Sequence, residues 1–228
     1  MGRAVEIGNP PIAVEIRRSA RARRLSLRVS RLDGKATLTM PRFAPEREAM
    51  SFLHAREDWL RGHVGGIADR VQVGPGVILP FRGGTLEVAE GSTRRARLLD
   101  GRLEVPSHGA GPRAKAALIV EARAALAEAS DRYAARLGRS YAALALRDTR
   151  SRWGSCSSAG RLMYSWRLIM APPDVLDYVA AHEVAHLAEM NHSPAFWTVV
   201  ETLCPDHKRL RRWLRTEGSS LHRYDFGD

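Results

Sequence analysis

The chain has 228 residues, 44% hydrophobic and 27% charged, which is globular composition with apolar material for one substantial core or two small ones. It holds no run of about 18 apolar residues, and its start, MGRAVEIGNPPI, has neither an apolar signal core nor a Ser/Thr at position six, so a soluble, cytoplasmic protein without a membrane partner is expected. Two cysteines, Cys156 and Cys204, exclude a disulfide scaffold, and a net charge of +11 favours a polyanionic partner without naming one.

Residues 12–40 read as strands. LSLRVS (25–30) and ATLTM (36–40) alternate apolar and polar residues, and Asp33-Gly34 between them is a hairpin signal. Leu25, Leu27 and Val29 face one way; Arg24, Ser26 and Arg28 face the other, with Arg17, Arg18, Arg21, Arg23, Arg31 and Lys35 nearby. That strip is either a solvated sheet face or a polyanion-binding surface. From Pro45 to about His63 the pattern is one helix, with Phe52, Leu53, Trp59 and Leu60 at core spacing and Gly65-Gly66 as its stop. VILPF, TLEVAE, RARLL and RLEVP then read as short strands, and residues 112–137 as a long Ala-rich helix closed by Gly138.

YAALALRDTRSRWGSC and GRLMYSWRLI read as two strands joined at Ser157–Gly160. A helix starting at Pro172-Pro173 runs to about Met190 and breaks at Asn191-His192; Ser193-Pro194 opens the next, to Leu203. The last helix, HKRLRRWLR, is capped by Asp206 and gathers Arg209, Arg212 and Arg215 on one face. The pattern is α+β: a β-rich region with one helix over 1–110, then a catalytic part over 111–228.

HEVAHLAEMNH (182–192) carries the chemistry. His182 and His186, four apart, project from one side of a helix with Glu183 beside them. A helical wheel gathers Val175, Val179, His182, Glu183, His186 and Met190 on one face; Ala181, Val184, Ala185 and Ala188 occupy the other, so the helix is covered on most sides. Two imidazoles and a carboxylate on a covered face cost several kcal/mol unless partnered, and a divalent cation is the usual partner. HExxH is also the zincin signature, two His ligands with the Glu as general base. The bland alternative is a histidine cluster satisfied by hydrogen bonds. His192, ten residues after His182, is the preferred third ligand, with Glu201 as its competitor. Glu189 stands where the longer pattern has glycine, so the turn falls to Asn191, a residue that tolerates left-handed backbone. Glu189 itself reads as an acceptor for a ligand imidazole N–H.

SRWGSCSSAGRL (151–162), the 166–197 stretch from WRLIMAPPDVLDYVAAHEVAH to NHSPAFW, and PDHKRLRRWL (205–214) together resemble the YgjP-like metallopeptidase family, kin to SprT-like and WLM zinc proteases. RRSARARRLSLRVS and DGKATLTMPRFA match more loosely. The resemblance implies a zincin-like domain, its active-site helix packed by a small sheet, with Zn2+ on His182, His186 and His192 and Glu183 as general base. The family also carries a nucleotide pyrophosphatase assignment on UTP, so the implied substrate is a peptide or a nucleoside triphosphate. Ser165 stands where Asn is expected in NWRL.

The strand with Arg150, Arg152 and Trp153 is expected to border the metal cleft, its edge suited to an extended peptide and its arginines to a triphosphate. Tyr164 and Tyr178 are candidate oxyanion donors, each more ordinarily a core aromatic. Cys156 is a candidate fourth ligand, more ordinarily a small buried thiol. The leading reading is a zinc peptidase, then a pyrophosphatase at the same site; a nucleic-acid module with structural zinc is the rival from another class.

Overall fold

The computed structural model describes residues 3–30, 34–64, 70–92 and 94–227, and the fold is α+β. The expected Asp33-Gly34 turn and the Gly65-Gly66 stop fall partly or wholly outside the described residues. The chain divides into two compact units, Met1–Asp69 and Arg70–Asp228, rather than at residue 110. The second β section belongs with the helical part because Leu79, Leu86, Val88, Leu103 and Val105 share a core with the long helix that follows. No helix of the described residues is long and apolar enough to cross a membrane.

In the first unit, β1 (Arg3–Ile7), β2 (Ile12–Ser19), β3 (Ser26–Val29) and β4 (Ala36–Pro41) form a sheet in the order β1-β2-β4-β3. β3 and β4 pair antiparallel as the alternation predicts, Leu27 opposite Leu38, while β2 and β4 run parallel. Every second side chain (Val14, Ile16, Ala36, Leu38, Met40) enters one core. The single helix expected over 45–63 is two, α1 (Glu46–His54) and α2 (Glu57–Val64). The break resets the helical phase: Leu53 and Leu60 are buried, whereas Trp59 lies at the surface stacked on His63.

In the second unit, β6 (Ile78–Phe81), β7 (Gly84–Glu90), β8 (Arg97–Leu99) and β9 (Arg102–Val105) form a sheet ordered β6-β7-β9-β8, and β5 (Val71–Gln72) pairs with the terminal β13 (Tyr224–Asp225). α3 (Ala110–Leu137) buries Ala114, Leu118, Ala122, Leu126, Ala129 and Tyr133 at three- and four-residue intervals, and ends at Gly138, whose φ of 65° is one that glycine adopts without strain. The segment expected to hold two strands holds three: β10 (Ala143–Arg147), β11 (Gly154–Cys156) and β12 (Arg161–Ser165), ordered β10-β12-β11. Residues 166–169, read as strand, instead form a 3-10 turn, Trp166–Met170, which lies entirely in the core. Arg167 in that turn is buried; its guanidinium grips both oxygens of Asp148 at 2.7 and 3.1 Å and donates to the carbonyls of Leu221 and Tyr224. It thereby ties the turn to a C-terminal 3-10 segment, Gly218–Arg223. α4 (Pro173–Ala185), α5 (Pro194–Leu203) and α6 (His207–Thr216) complete the unit, and α4 packs against both α3 and β11.

Candidate metal centre

α4 carries the motif and stops sooner than its pattern suggests. Beyond Ala185 the chain tightens into i→i+3 bonds, Leu187 N–H to Val184 O and Ala188 N–H to Ala185 O. Met190, placed by the wheel on the apolar face, is therefore half exposed. The return turn also differs from expectation. Among the described residues only Arg82 is a non-glycine with positive φ, so Asn191 is not left-handed. Its side-chain oxygen instead accepts from Ser193 N–H at 3.3 Å, an Asx turn, and Ser193 caps α5 by accepting from Phe196 N–H.

This turn brings His192 back over α4. The Nε2 atoms of His182 and His192 lie 3.1 Å apart, and the ligand atoms of His182, His186 and His192 all fall within 4.8 Å of one another. Two nitrogens on one tetrahedral zinc with bonds of 2.0–2.1 Å lie about 3.3 Å apart, so this convergence fits a single cation. His186 Nδ1 sits 2.9 Å from the Glu189 carbonyl; donating there leaves Nε2 as the free lone pair. Glu189 thus meets a histidine of the cluster, His186, through its backbone carbonyl rather than its side chain. Glu201 is exposed on α5, 3.6 Å from Lys208, and is not part of the cluster. Cys156 on β11 is also outside it, its thiol directed at the Ser157 carbonyl and its pKa raised by burial.

Aromatic rings wall the imidazoles. Phe196, fully buried, stacks on His186 at 4.4 Å and meets His182 and His192 edge-on. Trp197 lies 5.7 Å from His182 and stacks on the buried His207. Burial, then the neighbouring His186 and His192, lowers the His182 pKa to about 3, holding it as the neutral imidazole a metal requires.

Glu183 is 6% exposed, and burial pushes its pKa up to about 8 with Arg152 pulling the other way. A carboxyl poised near neutrality suits proton transfer. The Gly154 backbone packs close against it: a Cβ built at Gly154 would stand 2.5 Å from Glu183 Oε1 and 2.6 Å from Cγ. Only glycine leaves room there. β11 is an edge strand, pairing with β12 alone (Gly154 opposite Tyr164), so its other edge has no strand beside it among the described residues.

The site opens into a cleft of about 560 Å³ lined by Trp153, Tyr178, Trp197, Arg211, Leu214 and Arg215 together with His182, His192 and Glu183. Trp153 borders it, pinned by the Gly218 backbone and the His222 ring. Arg150 and Arg152 precede β11 rather than lie on it, and neither lines the cleft, although Arg152 is close enough to act on Glu183. The arginines that line it come from α6: Arg211, its guanidinium 4.9 Å from the Trp197 ring centre, and Arg215. Of the expected basic face of α6, Arg209 is bound to Asp174 and Asp206. Tyr178 lines the cleft with its pKa pushed up to about 12 by burial, whereas the Tyr164 hydroxyl is sealed in the core 3.0 Å from Ser130 Oγ. Ser165 is buried, and among the described residues its hydroxyl has no hydrogen-bond partner.

Residues 23–217 match the family described as YgjP-like, metallopeptidase domain. No curated protein matches the chain. Among solved structures, the metallopeptidase zymogen of Pyrococcus abyssi abylysin aligns at 20% identity over 41% of this chain and 95% of its own, with a TM-score of 0.37, too slight a likeness to bear on the fold.

Proposed function

The chain belongs to the YgjP-like metallopeptidase family, and from that premise we propose that it is a zinc peptidase whose ion is held by His182, His186 and His192 and whose general base is Glu183. The observation that carries this reading is the convergence of three imidazole nitrogens beside a buried carboxyl, at a cleft bordered by an open strand edge. A bound cation supplies Lewis acidity, polarising a carbonyl and making water a nucleophile at neutral pH. The protein supplies the rest. The free edge of β11 offers backbone N–H and C=O groups to an extended peptide, which carries the scissile carbonyl past Gly154 to Glu183. Glu183 takes the proton of the attacking water and returns it to the departing amine. Trp153 and Trp197 shield the reacting groups from bulk water.

The test compares zinc-loaded wild type with Glu183→Gln on a denatured protein substrate, with zinc content measured in parallel. Loss of cleavage with zinc retained is expected; cleavage that survives the substitution or a chelator would sink the proposal. Pyrophosphate release from UTP that vanishes in Glu183→Gln would instead make the same site a nucleotide hydrolase. Zinc bound with no hydrolysis of either substrate would leave the ion structural.

A further inference from the structure

Away from the histidines, the largest imbalance of charge lies in the first unit. Residues 17–42 hold nine basic residues (Arg17, Arg18, Arg21, Arg23, Arg24, Arg28, Arg31, Lys35 and Arg42) against one acid, Asp33. The sheet topology concentrates them. β2 and β4 run parallel with Ser19 opposite Pro41, and β3 enters antiparallel with Ser26 opposite Thr39. Segment 20–25 therefore crosses over the end of β4, at the same end of the sheet where the 42–45 turn leaves it. Arg18 fastens that turn to β2, donating to the carbonyls of Arg42 and Ala44 at 2.9 and 2.8 Å. Arg21, Arg23 and Arg24 lie on that crossing segment, and the turn presents Phe43, which is 91% exposed with the Arg42 guanidinium 5.8 Å from its ring centre.

The sheet surface continues the same chemistry. Val14, Ile16, Leu38 and Met40 fill the core face, so Arg17, Ser26, Arg28, Thr37 and Thr39 lie on the other, with Arg17 opposite Thr39 and Arg28 opposite Thr37. Glu15 on that face is paired with Lys35 at 3.2 Å. Arg17, Arg21, Arg23, Arg24 and Arg28 are all exposed, and among the described residues their guanidinium groups make no ion pair or hydrogen bond. Five unpaired guanidiniums along one sheet face and end cost solubility nothing, but they select for a repeated anion. A fully exposed Phe has no packing role; at an arginine-rich end of the sheet it offers a π-face to a planar, uncharged group.

We propose that this end of the first unit binds single-stranded nucleic acid, the arginines tracking successive phosphates and Phe43 stacking on an unpaired base. A duplex satisfies the arginines but keeps its bases from Phe43, so the ring distinguishes the two.

The experiment is fluorescence anisotropy of the full chain with labelled oligo-dT, oligo-U and a duplex of about 15 units, titrated with salt. Single strands should bind at low salt with a log–log salt slope approaching about −3.5, from roughly 0.7 per neutralised phosphate over five arginines. Arg21→Ala/Arg23→Ala/Arg24→Ala should reduce that slope by about 2, and Phe43→Ala should weaken single-strand binding about tenfold at unchanged slope and melting temperature. Preference between oligo-dT and oligo-U identifies DNA or RNA as the ligand. No binding at low salt would overturn the proposal. So would duplex binding as tight as single-strand binding and indifferent to Phe43, or binding lost on Arg212→Ala but not on the triple substitution.

Discussion

Replacing Gly154 by Ala adds one carbon where the Glu183 carboxyl already stands. That carbon would lie 2.5 Å from Oε1, and ordinary contact begins near 3.4 Å, so about 1 Å of movement is needed. The obstacle is a side chain rather than backbone, so the strain is relieved by displacing the Glu183 side chain from Cγ outward, carboxyl included, instead of unfolding β11. A 1 Å misplacement of a catalytic group costs on the order of 10²-fold in rate. Gly154→Ala should therefore cut kcat/KM on a fluorogenic casein by about 10²-fold, mostly in kcat, while the three histidines keep their metal and the melting temperature moves by only a few degrees, corresponding to ~1 kcal/mol. Cleavage within twofold of wild type would refute the argument. Loss of the metal would refute it equally, because nothing in the geometry connects a Cβ at 154 to the imidazoles.

The remaining predictions bear on the ligand set and on the scaffold. His192→Ala should abolish tight zinc binding in equilibrium dialysis while Glu201→Ala leaves it unchanged, since Glu201 sits at the surface beside Lys208. Arg167→Ala should lower stability to urea by about 3 kcal/mol, leaving Asp148 unpaired and the carbonyls of Leu221 and Tyr224 without their donor; a loss under about 1 kcal/mol would show that the guanidinium does not hold the C-terminal segment. His222, its pKa lowered to about 4 by burial and then by the charge of Arg167, resists a proton that the unfolded chain accepts at about 6.5. Its contribution to stability is complete above pH 6.5 and lost as pH falls through that window towards 4. Urea titrations across that range should show a shallower pH slope for His222→Phe than for wild type, and parallel slopes would remove His222 from the account.

Much of this was legible in the chain. The spacing of His182, Glu183 and His186 is a property of any helix, and Ser193-Pro194 marks the restart that lets His192 return, so the sequence by itself determined the convergent histidines. Alternation in 25–30 and 36–40 likewise determined the β3-β4 pairing. These are signals between residues close in the chain, and helix and strand geometry translates them directly. Boundaries were less secure: the break between α1 and α2 and the early end of α4 follow from packing, which overrode helical patterns that continue through both points. Only the tertiary structure decided what faces the histidines. Gly154 is 29 positions from Glu183 and carries no pattern of its own, and Arg211 rather than Arg150 or Arg152 lines the cleft because α6 folds back over Trp197. Local periodicity says which residues share a face; which face of another element closes over it is set by burial of the whole core, to which no single segment holds the key.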